Sequence, residues 1–215
     1  MFIGHFALGF AAKKAAPKTS LGMLFLAAQF VDLLWPTLLL LGIERVAIVP
    51  GITAVTPLDF QSYPVTHSLV AGAFWASAVA MVYALLTRNL RGAVVMAGLV
   101  LSHWFLDLLM HRPDLPIVPG GLKVGLGLWN SLPGTLVVEF GLYAFGIWLY
   151  ARSTVAKNRT GTWALWGLVV FLAVMHLVNI FGPPPPSVGM IAWAGHAMWL
   201  LVLWGWWIDR NRVVR

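Results

Sequence analysis

Six apolar runs, at residues 20–43, 63–87, 92–111, 133–152, 162–182 and 189–209, leave this chain few ways to fold. Each is close to the ~20 residues that a helix needs to cross a hydrocarbon layer of roughly 30 Å. Inside lipid the backbone N–H and C=O groups have no water to bond, so segments of this length must be helical. Of the 215 residues 10% are charged and 60% hydrophobic, whereas soluble domains carry about a quarter charged residues. The chain is therefore expected to be an all-α, polytopic transmembrane helical bundle, a single integral membrane domain over residues 1–215 with about six spans plus a short N-terminal partial helix. That partial helix, residues 2–14, runs into Lys13, Lys14 and Lys18. At about 1.5 Å per residue it is too short to span, so it is expected to enter partway or lie against the bundle. It has neither a basic n-region nor an obvious cleavage site and reads as part of the mature protein.

Lys and Arg set the expected orientation. Lys13, Lys14 and Lys18, Arg88 and Arg91, Arg152, Lys157 and Arg159, and Arg210, Arg212 and Arg215 fall on one side, while loops 44–62, 112–132 and 183–188 hold only Arg45, Arg112 and Lys123. The C-terminus is predicted to be cytoplasmic. A net charge of +7 would raise nucleic acid as a partner in a soluble protein. Here the basic residues sit between apolar runs and read as topology signals and contacts to anionic membrane lipid, with no nucleic acid involved. Cysteine is absent, which excludes disulfides and restricts any metal to nitrogen and oxygen ligands. Loops 44–62 and 112–132 are long for a compact bundle, as lids and binding loops often are. Pro183–Pro186 reads as a rigid spacer.

The stretch LSHWFLDLLMHRPDLP, residues 101–116, places His103, Asp107 and His111 at i, i+4, i+8, on one helix face. This is metal-ligand spacing. A charged group costs roughly 2.5–3.5 kcal/mol to insert at the centre of an apolar helix, so a compensating cation is one solution. Counting from the loop-rich end at about 1.5 Å per residue puts Asp107 at ~6 Å, Glu139 and His176 at ~9 Å, His196 at ~10 Å, His103 at ~12 Å and Asp32 at ~16 Å. His67 and His111 fall near the mouth, and the half of the bundle nearer the basic loops is left without ionisable residues. Because alternate spans run in opposite directions, such convergence favours one shared site facing the outer leaflet.

His5 lies in GHFALG, where Gly4 and Gly9 permit close helix approach. Asp32 is the only charge between Ser20 and Ile43, and an intramembrane carboxylate is a functional candidate by default. His67 follows Pro64 at a helix start, where Thr66 or Ser68 can cap backbone groups instead. His5, Asp32, His67, His103, Asp107 and His111 together make a ligand set that suits zinc, or manganese or iron if more oxygen ligands join. Such an ion lowers the pKa of a bound water and polarises a carbonyl or phosphoryl oxygen. Asp32 or Asp107 can then serve as general base and Arg112 can hold a phosphate oxygen, so these three are the candidate catalytic residues. Glu139, His176 and His196 are weaker candidates that can equally bond within the bundle. Trp204, Trp206 and Trp207 read as an interfacial belt.

GHFALGF, the Asp32 region, THSL and His-x-x-x-Asp resemble, in order and spacing, the LexA-binding, inner-membrane-associated metal-dependent hydrolase family over about the first half of the chain. The His-x-x-x-Asp signature is also loosely similar to zinc-dependent phospholipase C enzymes. The resemblance implies a bacterial inner-membrane hydrolase with His5, Asp32, His67, His103 and Asp107 as ligands. The family's Pro-Asp-x-Asp is reduced here to Phe30-Val31-Asp32, and its His-Arg before Thr-His-Ser is replaced by Tyr63-Pro64, which removes a carboxylate and an imidazole and with them the support for a second metal. RPDLP and GLGLWNSLPGTLVVE resemble a signature of a narrower bacterial group.

The expected function is hydrolysis of an ester or phosphoester of a lipid or other membrane-borne substrate. Two other classes stay open. An ion- or proton-coupled transporter would use Asp32, Glu139 and the histidines as a relay and need access from both faces. A non-catalytic scaffold would use the polar residues only to bond helices together and hold no stoichiometric metal.

Overall fold

Side-chain oxygens start the long helices. Ser20, Ser68, Asn89, Ser131, Asn158 and Ser187 each accept a backbone N–H three residues on, capping α2 (Leu21–Ala28), α5 (Leu69–Thr87), α6 (Leu90–Met110), α7 (Leu132–Ser153), α8 (Arg159–Phe181) and α9 (Val188–Arg210). The computed structural model describes residues 1–215. Helices α5 to α9 have 19 to 23 residues and are apolar enough to cross a membrane, and a bent pair, α2 with α3 (Phe30–Leu40), makes up to six spans. Large apolar side chains stand exposed along them, among them Phe74, Val137, Val170 and Leu200, the pattern of surfaces solvated by lipid rather than water. The protein is an all-α, multi-pass membrane protein.

The run at 20–43 is not one straight span. It bends by 55° at Gln29, and Pro36 inside α3 lacks the N–H that would bond the carbonyl of Asp32. Helix α3 then closes with Gly42 at φ +70°, a left-handed position that glycine adopts without strain. There Ile43 N–H returns to the carbonyl of Leu38. The run at 63–87 is also interrupted, with the single turn α4 (Pro64–His67) separated from α5 at Ser68.

Helix α1 (Ile3–Ala15) does not lie on the outside. Ile3, Phe6 and Phe10 are fully buried among Phe25, Tyr143, Tyr150, Leu168 and Leu172, which makes the shortest apolar segment the centre of the bundle. It approaches α7 so closely that a Cβ on Gly146 would strike the backbone of Ala7. Helix α3 runs along α9 and α5 along α6.

At the loop-rich end, 44–62 forms a hairpin of β1 (Arg45–Ile48) and β2 (Leu58–Ser62), and 112–131 folds over α6 through β3 (Leu115–Pro116), β4 (Lys123–Val124) and a 3-10 turn. At the basic end, β5 (Thr154–Ala156) pairs with β6 (Arg212–Val214). Burial lowers the pKa of Arg212, whose guanidinium donates to the carbonyls of Thr154 and Gly161. That end is not free of buried charge: Lys13 is enclosed and pairs with Asp209 at 2.8 Å. Lysine near a helix end reads as a loop signal in sequence, but its long stem lets the ammonium reach an acid on another helix.

Overpacking a close helix contact costs about 1–3 kcal/mol. Gly146→Leu is expected to lower the midpoint of thermal unfolding in detergent, while Gly141→Ala on the same helix, where a Cβ meets nothing within 4 Å, leaves it unchanged.

Candidate metal centre

His103 and Asp107 on α6, His5 on α1, Asp32 on α3 and His67 on α4 meet at the loop-rich end of the bundle. His103 Nε2 lies 3.3 Å from Asp107 Oδ2 and 3.5 Å from Asp32 Oδ2. His67 Nε2 lies 3.3 Å from Asp32 Oδ1 and 3.8 Å from Asp107 Oδ2, and His5 Nε2 lies 3.2 Å from Asp107 Oδ1. Two triplets, His5–His103–Asp107 and Asp32–His67–His103, each offer ligand atoms within 4.8 Å of one another. Separate helices carry these groups, so only their packing creates the cluster.

Hydrogen bonds decide which nitrogen each imidazole presents. His103 Nδ1 donates to the carbonyl of Ala28 at 2.8 Å, beside the bend in the α2–α3 pair. In the neutral ring Nε2 therefore carries the lone pair, and it is buried with no hydrogen-bond partner. Thr66 Oγ1 donates to Glu44 Oε2 at 2.7 Å and so accepts from His67 Nδ1 at 2.6 Å, which turns the lone pair of His67 Nε2 toward the two aspartates. His5 and His103 stack with ring centroids 3.5 Å apart, an arrangement that repels if both rings are protonated and is compatible with two neutral ligands. An orphaned Nε2 facing carboxylates, with imidazoles held in the ligating tautomer, fits a divalent cation. The α-amino group of Met1 brings a positive charge to Asp107 at 2.6 Å.

His111 stands at the edge of the cluster, its Nε2 4.0 Å from Asp107 and its Nδ1 donating to Asp114 at 2.8 Å. Tyr63 also donates to Asp114, at 3.1 Å. Burial and the neighbouring Asp114 raise the pKa of the Tyr63 phenol well above its ordinary value, so it stays a donor. Arg112 is bound by Asp59 at 2.7 Å and Asp114 at 3.5 Å, tying the hairpin to the end of α6. Both acids meet Nη2 of the guanidinium, and the side chain is partly exposed.

The remaining candidates lie elsewhere. Glu139 is buried and accepts the backbone N–H groups of Phe2 and Gly4, capping α1 at 3.0 and 3.2 Å. His176 stacks on Phe2, while Asn179, one turn on, lines a separate surface cleft with Pro183 and Thr56. His196 bonds Thr37 and the carbonyl of Ala192, away from the cluster. Sequence reading passed over Glu44, Thr66 as a bridge to His67, Tyr63 and Asp114. The i, i+3 spacing of His111 and Asp114 was a usable signal; nothing local marks Glu44, which is 23 residues from His67.

Glu44 also accepts the N–H groups of Val65 and Thr66 at 2.8 and 2.9 Å, so one buried carboxylate both starts α4 and orients its histidine. Comparison of the chain with known protein families, characterised proteins and solved structures finds no match. The geometry alone defines the site, in a multi-pass helical membrane protein.

Removing a group that orients a metal-ligating histidine typically weakens metal affinity by about 10–100-fold. Thr66→Val is expected to do so in competition with a chelator, and Thr66→Ser, which keeps the hydroxyl, to retain wild-type affinity.

Proposed function

We propose that this protein is a membrane-embedded, metal-dependent hydrolase that cleaves an ester or phosphoester of a lipid or other membrane-borne substrate. The observation that carries the reading is the convergence of three imidazoles and two carboxylates inside an apolar bundle, with the Nε2 of His103 left without a bond. His5, His67, His103, Asp32 and Asp107 would hold the ion, zinc by its ligand chemistry and manganese or iron if further oxygens join. When bound, it supplies Lewis acidity and an activated water near neutral pH. The resemblance of GHFALGF, THSL and His-x-x-x-Asp to the membrane-bound hydrolase family supports the same class.

Asp107 is enclosed, whereas the side chain of Asp32 is 25% exposed, so Asp32 is the more accessible acid. It would take the proton as the water oxygen bonds to the carbonyl carbon or phosphorus, and return it to the leaving oxygen as that bond breaks. The bias of Lys and Arg toward the basic end supports a cytoplasmic C-terminus and a site facing the outer leaflet of a bacterial inner membrane. A transporter is the second reading, because the bend in the α2–α3 pair lies three residues from Asp32, and broken helices form ion sites in carriers.

Elemental analysis of detergent-purified wild type should find about one or more transition-metal ions per chain, and His103→Ala and Asp107→Ala should lose them. The wild type should then cleave a fluorescent phospholipid or ester, with activity lost in chelator and restored by zinc or manganese. A wild type free of metal after incubation with both ions overturns the hydrolase; metal or proton uptake into vesicles without cleavage favours the carrier.

A further inference from the structure

The site is closed toward the loop-rich end. His111 is covered by Trp129 and Phe60, with ring centroids 4.4 and 4.7 Å away, and Tyr63 stacks on its other side at 5.9 Å. Trp35 packs against Phe60 and His67 behind them, and the Arg112–Asp59 pair holds the hairpin over the whole. Phe60, Tyr63 and His111 are all buried. A water-soluble substrate has no open way down this axis.

One residue of the cluster is not enclosed. Among the cluster residues the side chains of His5, His67, His103, Asp107 and His111 are 5% exposed or less, and only Asp32 is reached, at 25%. Gly72 lies on the buried face of α5, with Ala76 and Tyr83, yet a Cβ built on it meets no atom within 4 Å. Tyr83 lies against Gly92, so in these antiparallel helices about three turns back along α5 and the same distance forward along α6 bring Gly72 to the level of His103. Phe30 on α3 meets Trp75 on α5 at 5.4 Å and forms a sill below this level. Above that sill, the open space at Gly72 lies at the level of the ligand cluster. The space sits within a membrane-spanning helix, where lipid is the solvent.

We propose that the site is served sideways, through a portal between α3 and α5 at Gly72, and that its substrate is a bilayer lipid whose polar group reaches Asp32 and His103 while its chains stay in hydrocarbon. The reacting group rests on the hydrolase reading; the portal does not. Glycine at position 72 keeps the passage open, and Phe30 and Trp75 give it an apolar edge for the chain to cross.

Because the chain contains no cysteine, Gly72→Cys supplies a single thiol for a bimane label in reconstituted vesicles. Cys-specific labelling at position 72 is expected, with quenching by lipids carrying a nitroxide on the acyl chain and none by a water-soluble nitroxide. Ala76→Cys, one turn deeper on the same buried face, is expected to stay unlabelled. A position 72 as unreactive as position 76, or quenched only from water, overturns the portal. Gly72→Leu, whose Cβ meets no atom within 4 Å, is expected to keep wild-type metal content and lose cleavage of vesicle lipid; undiminished cleavage also overturns it. A wild type without metal or cleavage counts against the hydrolase and leaves the labelling result to decide the portal by itself.

Discussion

Two carboxylates inside a lipid-embedded bundle, Asp32 and Asp107, set the terms for the rest of the structure. Neither can stay ionised there without partners, and the partners come from α1, α4 and α6 at once. Features that look unrelated follow from that demand. Helix α1 is drawn into the middle of the bundle, where His5 meets Asp107 and Glu139 caps the helix start. The α2–α3 pair bends where the carbonyl of Ala28 accepts a hydrogen bond from His103 Nδ1. The single turn α4 exists as a separate unit because Glu44 binds its first N–H groups and, through Thr66, its histidine.

Enclosure and access are divided between two kinds of side chain. Aromatic rings and one arginine latch seal the site from the loop-rich end, where water would compete with the carboxylates for the histidines. On the lateral side, where we propose access, Gly72 has open space beside it and Asp32 is partly exposed. A reaction centre so arranged strengthens its electrostatics by excluding bulk water and, in the proposed hydrolase, takes its substrate from the phase that surrounds the helices.

Much of the fold was legible because span length and the Ser or Asn caps are local properties. The apolar runs stand where the long helices stand, and His5, Asp32, His67, His103, Asp107 and His111 come together in space. Helix rise and alternating direction were enough to group all of these but His5, which the small residues Gly4 and Gly9 pointed toward the interior. Depth failed as a guide for His196, which points to Thr37, because depth says nothing about which face of a helix turns inward. It failed again at the basic end, where Lys13 reaches Asp209 across 196 residues. Arg112, read as a phosphate ligand, also pairs with Asp59, 53 residues away, which no local pattern connects with it.

Hydropathy and residue spacing, by themselves, determined a multi-pass helical protein with imidazoles and carboxylates at one level of the membrane. They could do so because helix periodicity and the length needed to cross lipid act on neighbours in the chain. The tertiary structure alone decided which histidine nitrogen faces the carboxylates, that the short N-terminal helix lies at the centre, and that Asp32 alone among the cluster is partly exposed. Those outcomes depend on groups far apart in sequence, such as Glu44 with His67 and Ala28 with His103, brought within hydrogen-bond distance by packing.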